Sequence, residues 1–238
     1  MAKRSRNSNS SNLDFFDGRY WCEMVGTLML VLIGCGSIVL SGFAVPAAAM
    51  QIGLAFGAVA AAVIYSVGVA SGGHINPAVT VAMWSAGRMR LDDAIMYIIY
   101  QLVGAVIGAF ILWLILKGKT GTPATIANLG QNTILGGYSV LTVLCVEFVA
   151  TLIFTLVFLG STAARGATAM AGLIIGLTLV ALHLAFISVD GLSVNPARSF
   201  GPAVIVQGPA FFDQLWIFFV GPIVGGLVAG WLHQQKWL

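Results

Sequence analysis

Apolar runs of about 20 residues, the length that crosses the hydrocarbon core of a bilayer, recur six times along the chain. They extend from Tyr20 to Gly42, Ala47 to Ala70, Ala94 to Leu116, Val140 to Gly160, Ala169 to Val189 and Leu215 to Leu232. Each predicts a membrane-spanning helix. After the second and the fifth come apolar stretches too short to cross, Pro77 to Ala86 and Pro196 to Val206, each preceded by an Asn. Asn is a strong N-cap because its side-chain oxygen accepts an orphan backbone N–H, and Pro suits the first helical position because its φ is already helical. Both stretches therefore predict half-helices that begin inside the membrane.

The two halves of the chain align. Glu23 matches Glu147 in spans one and four, and Gly53-Leu54 with Gly57 match Gly172-Leu173 with Gly176 in spans two and five. Gln101-Leu102-Val103-Gly104 matches Pro222-Ile223-Val224-Gly225 in spans three and six. Three spans per repeat is an odd number, so the second repeat enters the membrane from the opposite side, which makes the repeat inverted. The two half-helices then meet near the midplane. The expected organisation is a polar tail over residues 1–19, one membrane domain over 20–232 and a short end over 233–238. Within the domain, repeat one (20–117) and repeat two (138–232) are joined by an outer loop (118–137) in which no motif is readable.

Loop charges give the orientation. With the N-terminus inside, Lys3, Arg4, Arg6, Arg19, Arg88, Arg90, Arg165 and Lys236 are cytoplasmic and only Lys117 and Lys119 lie outside. This excess satisfies the positive-inside rule and places both termini in the cytoplasm. An apolar run from Met24 followed by Pro46-Ala47-Ala48-Ala49 loosely matches a signal peptide. That reading is rejected, because cleavage would delete one member of the repeat.

Composition agrees with a polytopic all-α membrane protein: 59% of residues are hydrophobic and 8% charged, against roughly 25% charged in a soluble domain. The formal net charge of +3 is spread along the chain, so there is no nucleic-acid footprint. Cys22, Cys35 and Cys145 sit in or beside apolar runs and read as small buried hydrophobes, with no metal or other cofactor implied. Gly26, Gly34, Gly36, Gly104, Gly108, Gly221, Gly225, Gly226 and Gly230 read as small-residue packing surfaces. No nucleophile paired with a base and no phosphate loop is present, so the chain is not read as an enzyme.

The paired signatures GGHINPAVT and SVNPARSFGP, half a chain apart, resemble the aquaporins, most closely their bacterial-type water channels. The resemblance extends from about Tyr20 to Trp231. It implies six spanning helices with two re-entrant half-helices. It also implies a passive pore that passes single-file water down osmotic gradients, and a homotetramer with one pore per subunit in a cell membrane. Water and the bilayer are then the expected partners.

An irregular backbone at membrane depth is tolerated where it is buried in protein or lines a water-filled cavity. Asn76-Pro77-Ala78 and Asn195-Pro196-Ala197 would present two side-chain donors and two positive helix ends to such a cavity. Arg198 lies in the first turn of the second half-helix, where the dipole disfavours it; the first repeat has Val79 there. A charge at one mouth only suggests a filter that repels cations and offers fixed donors. The family pattern adds His183, fifteen residues before Arg198, and Phe56 as filter positions, with His183 expected neutral beside Arg198. The fourth filter position falls on Leu192, where a small or hydroxylated residue is usual. Its side chain either turns away, leaving the carbonyl, or narrows the constriction. Intramembrane acids are costly unless bonded, and Glu23 and Glu147 are carried over from the family as acceptors for the re-entrant loops. His74 is placed in the cytoplasmic vestibule, and Asp190 and Asp213, near the outer face, are given no special role.

Two other readings stay open. A glycerol facilitator has the same fold but typically an aromatic where this chain has His183 and Asp where it has Ser199. An ion-coupled secondary transporter would use Glu23 and Glu147 as coupling acids facing the solute path.

Overall fold

The computed structural model describes residues 16–40, 48–119, 128–166, 168–206 and 213–236. The expected tail over Met1 to Asn12, Pro46-Ala47 and residues 120–127 of the outer loop lie outside the described residues.

Long helices form where the apolar runs are uninterrupted: α1 (Gly18–Leu40), α5 (Leu91–Lys117), α6 (Val140–Ser161), α7 (Ala171–Asp190, entered through a 3-10 turn at Thr168–Met170) and α9 (Ile217–Gln234). These five are long and apolar enough to cross a membrane. The second apolar run departs from expectation. It forms α2 (Ala49–Tyr65), 17 residues at the lower limit for spanning, and then a single turn, α3 (Gly68–Ser71). The break has a local cause. The Ser66 hydroxyl turns back onto the Ala62 carbonyl at 2.6 Å, and the Ser66 backbone leaves helical space at φ −103° and ψ −93°. The half-helices are α4 (Pro77–Ser85) and α8 (Pro196–Val206). Two domain limits shift: α1 starts inside the residues assigned to the tail, and α9 runs past 232 to Gln234.

Packing follows the inverted repeat. Helix α5 packs on α1 and supports α8, the half-helix of the other repeat; α9 packs on α6 and supports α4. Helices α2 and α7, equivalent in the two repeats, pack on each other. There Gly57 and Gly176 face each other, and a Cβ on either would overlap the other's carbonyl oxygen. At Gly104 and Gly108 the α1 backbone at Met24 and Leu28 occupies the space a side chain would need. At Gly36 a Cβ would make only ordinary contacts with the Leu112 and Leu40 side chains, so it carries no such constraint. One cysteine expectation fails: Cys35 is buried, but Cys145 is exposed on the outside of the bundle and Cys22 is partly exposed.

Candidate functional site

The segments that lead into α4 and α8 have the same backbone shape. Gly72, Gly73 and Ile75 have φ of 96°, 63° and 44°; their counterparts Gly191, Leu192 and Val194 have 82°, 43° and 49°. A positive φ at a bulky or β-branched residue costs on the order of 1–3 kcal/mol and survives only where neighbours over-determine it. The acids of α1 and α6 supply that constraint. Glu23 accepts from the amides of His74 (2.9 Å) and Ile75 (2.6 Å), the Ser71 hydroxyl (2.7 Å) and Gln101 Nε2 (2.7 Å). Glu147 accepts from the amides of Ser193 (2.6 Å) and Val194 (2.8 Å). Both carboxyls are fully buried and neither lines the central cavity, which removes the geometric basis for coupling acids on a solute path.

Each loop ends in its Asn. The Asn76 oxygen accepts the Ala78 amide at 2.8 Å, and Asn195 accepts those of Ala197 and Arg198 at 3.0 and 3.3 Å. Pro77 and Pro196 stand at the first helical positions. The amide groups are not simply aimed at a lumen, as the sequence suggested. Asn76 Nδ2 donates to the Val194 carbonyl at 2.7 Å and Asn195 Nδ2 donates to the Ile75 carbonyl at 2.9 Å. One proton of each amide thus ties the two half-helix starts together, and the second is left for the cavity.

That cavity holds about 20 Å³ of space open to the centre of a water molecule, room for a water or two. Its polar lining is His74, Asn76, Ser193, Asn195, His183 and Arg198, set among Leu30, Phe56, Ala60, Phe154 and Leu179. At one end, Phe56 stacks on His183 (centroids 4.7 Å, interplanar 19°) and the Arg198 guanidinium lies 5.1 Å from the Phe56 centroid. His183 Nδ1 donates to the Leu179 carbonyl at 2.8 Å, which leaves Nε2 of a neutral ring as an acceptor, and among the described residues Nε2 has no partner. Arg198 donates through Nη1 to the Gly130 carbonyl at 2.6 Å, and among the described residues its Nε and Nη2 have no partner. The structure therefore gathers unused polar atoms of Arg198 and His183 around Phe56 in the cavity lining.

His74 is buried against Tyr97 and Phe158, with Nδ1 3.2 Å from Thr80 Oγ1. Leu192 is fully buried in the apolar core and does not line the cavity. Sequence reasoning missed two contributors. The outer loop folds inward: Gly130 holds Arg198, and Asn132 joins the Asp190 carbonyl (3.1 Å) to the Ser199 hydroxyl (2.8 Å). Asp190, given no role, is fully buried and accepts the Leu192 amide at 2.8 Å. Its alignment with Ser71 through the repeat was the available signal. Among the described residues no group of His, Cys, Asp and Glu could hold a metal ion.

The fold and the cavity define a polytopic helical membrane protein with two re-entrant half-helices whose starts meet beside a small, partly polar cavity. The family model described as major intrinsic protein matches residues 10–233, and the chain belongs to that family. The chain is 41% identical over 221 residues to a protein named aquaporin Z from Photorhabdus laumondii, covering 89% of this chain and 94% of that protein. It is 39% identical to proteins of the same name from Bradyrhizobium diazoefficiens (92% of each chain) and Rhodopseudomonas palustris (91% and 92%). Among solved structures, the aquaglyceroporin from Plasmodium falciparum superposes with a TM-score of 0.81 at 21% identity, over 92% of this chain and 95% of that one. At that identity it supports the fold alone.

Proposed function

We propose that the chain is a passive water channel that conducts single-file water and excludes ions. The observation that carries this reading is the set of polar atoms without a partner among the described residues, Arg198 Nε and Nη2 and His183 Nε2, on residues that line a cavity with about 20 Å³ of space open to water. Buried polar groups without protein partners are costly unless a permeant satisfies them. Arg198, His183 and Phe56 form the filter, and Leu192 contributes backbone only. At the midplane the free amide protons of Asn76 and Asn195 orient the water oxygen, while two positive helix ends oppose cations and protons. Glu23 and Glu147 hold the re-entrant loops, and His74 lines the cytoplasmic side. The names of the relatives support water as the permeant.

The setting belongs to the same proposal: one channel domain, multi-pass in a cell membrane with both termini cytoplasmic, as the loop charges favour, and a homotetramer, as the family resemblance implies. The transport activity of the family supports a channel with no enzymatic role.

The test is stopped-flow light scattering on proteoliposomes, comparing shrinkage under an impermeant osmolyte with re-swelling under a glycerol gradient. Fast shrinkage with glycerol excluded is expected, and His183→Gly should admit glycerol. Rapid glycerol entry in the parent protein would make it a glycerol facilitator. Saturable, ion-coupled uptake would make it a transporter.

A further inference from the structure

The carbonyl that receives Arg198 belongs to a loop residue, so the cation is aimed only as well as that loop is fixed. Loop backbone keeps a set position where its polar groups are bonded to rigid elements. The segment 128–135 is bonded in this way on two sides. On one side it meets the C-terminal end of α7: the Thr133 amide donates to the Asp190 carbonyl at 3.3 Å and the Leu135 amide to the Val189 carbonyl at 2.9 Å. On the other stands Gln214, just ahead of α9. Its side-chain oxygen Oε1 accepts both the Thr133 hydroxyl and the Ile134 amide, each at 2.8 Å. Gln214 is itself footed on the helix, because its backbone carbonyl accepts the Ile217 amide at 3.0 Å. Ile217 and Phe218 are fully buried in a cluster with Val143 and Val189, and Ile134 packs against that same cluster.

The inverted repeat carries the same device. In the alignment that pairs Gln101 with Pro222, Gln214 falls on Asp93, in the first turn of α5. Asp93 Oδ1 also accepts two donors, Arg19 Nη2 at 3.0 Å and the Tyr20 hydroxyl at 2.8 Å, from the start of α1. In each repeat, then, an acceptor at the start of the last long helix ties down the chain that enters the first. In repeat two that stretch of chain also holds the filter, through the Gly130 carbonyl on Arg198 and Asn132 Oδ1 on the Ser199 hydroxyl.

We propose that Gln214 is a positioning residue for Arg198: by fixing Thr133 and Ile134 it sets the Gly130 carbonyl that aims the guanidinium, and thereby sets which solutes pass. Selectivity in this sense rests on the channel reading. Gln214 does not line the cavity, so it acts through the loop. A long side chain such as Arg holds one direction only when its partner is itself held. The role needs an accepting oxygen at this point. Gln214→Glu keeps one, Gln214→Leu removes it, and Thr133→Val removes one of the two donors while leaving Gln214 in place.

The experiment uses the full-length protein and two readouts: hydrogen–deuterium exchange of the 128–135 amides by mass spectrometry, and the ratio of glycerol to water permeability in proteoliposomes. Gln214→Leu is expected to speed exchange in 128–135 several-fold while α5 and α6 keep the protection of the parent, and to raise the permeability ratio several-fold. Thr133→Val should move both readouts in the same direction by less, and carries the test if Gln214→Leu does not fold. Gln214→Glu should restore both. A general loss of folded channels would lower the two permeabilities together and leave their ratio unchanged. Parent-like exchange in folded Gln214→Leu would overturn the proposal, as would faster exchange with an unchanged ratio, or a Gln214→Glu variant that behaves like Gln214→Leu. A parent that passes no water would end the channel reading by itself, and the exchange readout would still decide whether Gln214 holds the loop.

Discussion

Among the described residues, Arg198 is held by one side-chain hydrogen bond, from Nη1 to the carbonyl oxygen of Gly130 at 2.6 Å. The acceptor lies in the outer loop, far from Arg198 in sequence, at a glycine with φ +74° whose missing Cβ leaves room for Cys35. Gly130→Ala is therefore expected to cost about 1–2 kcal/mol in backbone conformation and to shift the carbonyl that aims Arg198. Proteoliposomes with this variant should shrink more slowly under osmotic load and exclude glycerol less well than the parent, read by stopped-flow light scattering.

The exchanged bonds of Asn76 and Asn195 make each cap serve two half-helices. Asn76→Ala removes a cap worth about 1 kcal/mol and the bond to the Val194 carbonyl, worth about 1 kcal/mol more. Asn76→Ser keeps the cap and loses the second bond. The thermal midpoint in detergent should fall for both variants, with Asn76→Ser losing roughly half as much as Asn76→Ala. Equal losses would mean that the cross-loop bond contributes nothing.

Glu23 offers two oxygens to four donors. Glu23→Gln replaces one oxygen with an amide nitrogen facing groups that also donate, so two bonds are lost at about 1–3 kcal/mol each. A sharp drop in folded yield and in thermal midpoint is expected. A midpoint equal to that of the parent would show that the loop amides find other acceptors.

Leu192 packs in the core, away from the cavity. Leu192→Thr should therefore leave the ratio of water to glycerol permeability unchanged while destabilising the protein by about 2 kcal/mol or more, as for other truncations of buried Leu. A change in that ratio in a folded variant would place the side chain in the filter.

Most of the architecture was legible in the chain because its signals are short-range or periodic. Asn76-Pro77 and Asn195-Pro196 start half-helices through contacts within one turn, and apolar runs of spanning length report the bilayer wherever the rest of the chain lies. The internal repeat then supplied symmetry, so that matching Glu23 with Glu147 anticipated two acids holding two loops. The break of α2 at Ser66 was not legible, because one serine in an apolar run more often continues a helix than ends it.

What the sequence determined by itself is the class of the molecule: a six-run inverted repeat, two half-helices with caps, and a single cation beside the second cap, all written in local patterns. Tertiary structure alone decided where the long-range partners fall. The inward turn of Gly130 and Asn132 onto Arg198 and Ser199, the exchange of bonds between Asn76 and Asn195 and the burial of Leu192 in the core depend on residues dozens of positions apart. Hydrogen bonds of that kind depend on which helices pack together, and packing is set by the chain as a whole, with the close approach at Gly57 and Gly176 fixing how the two repeats face each other.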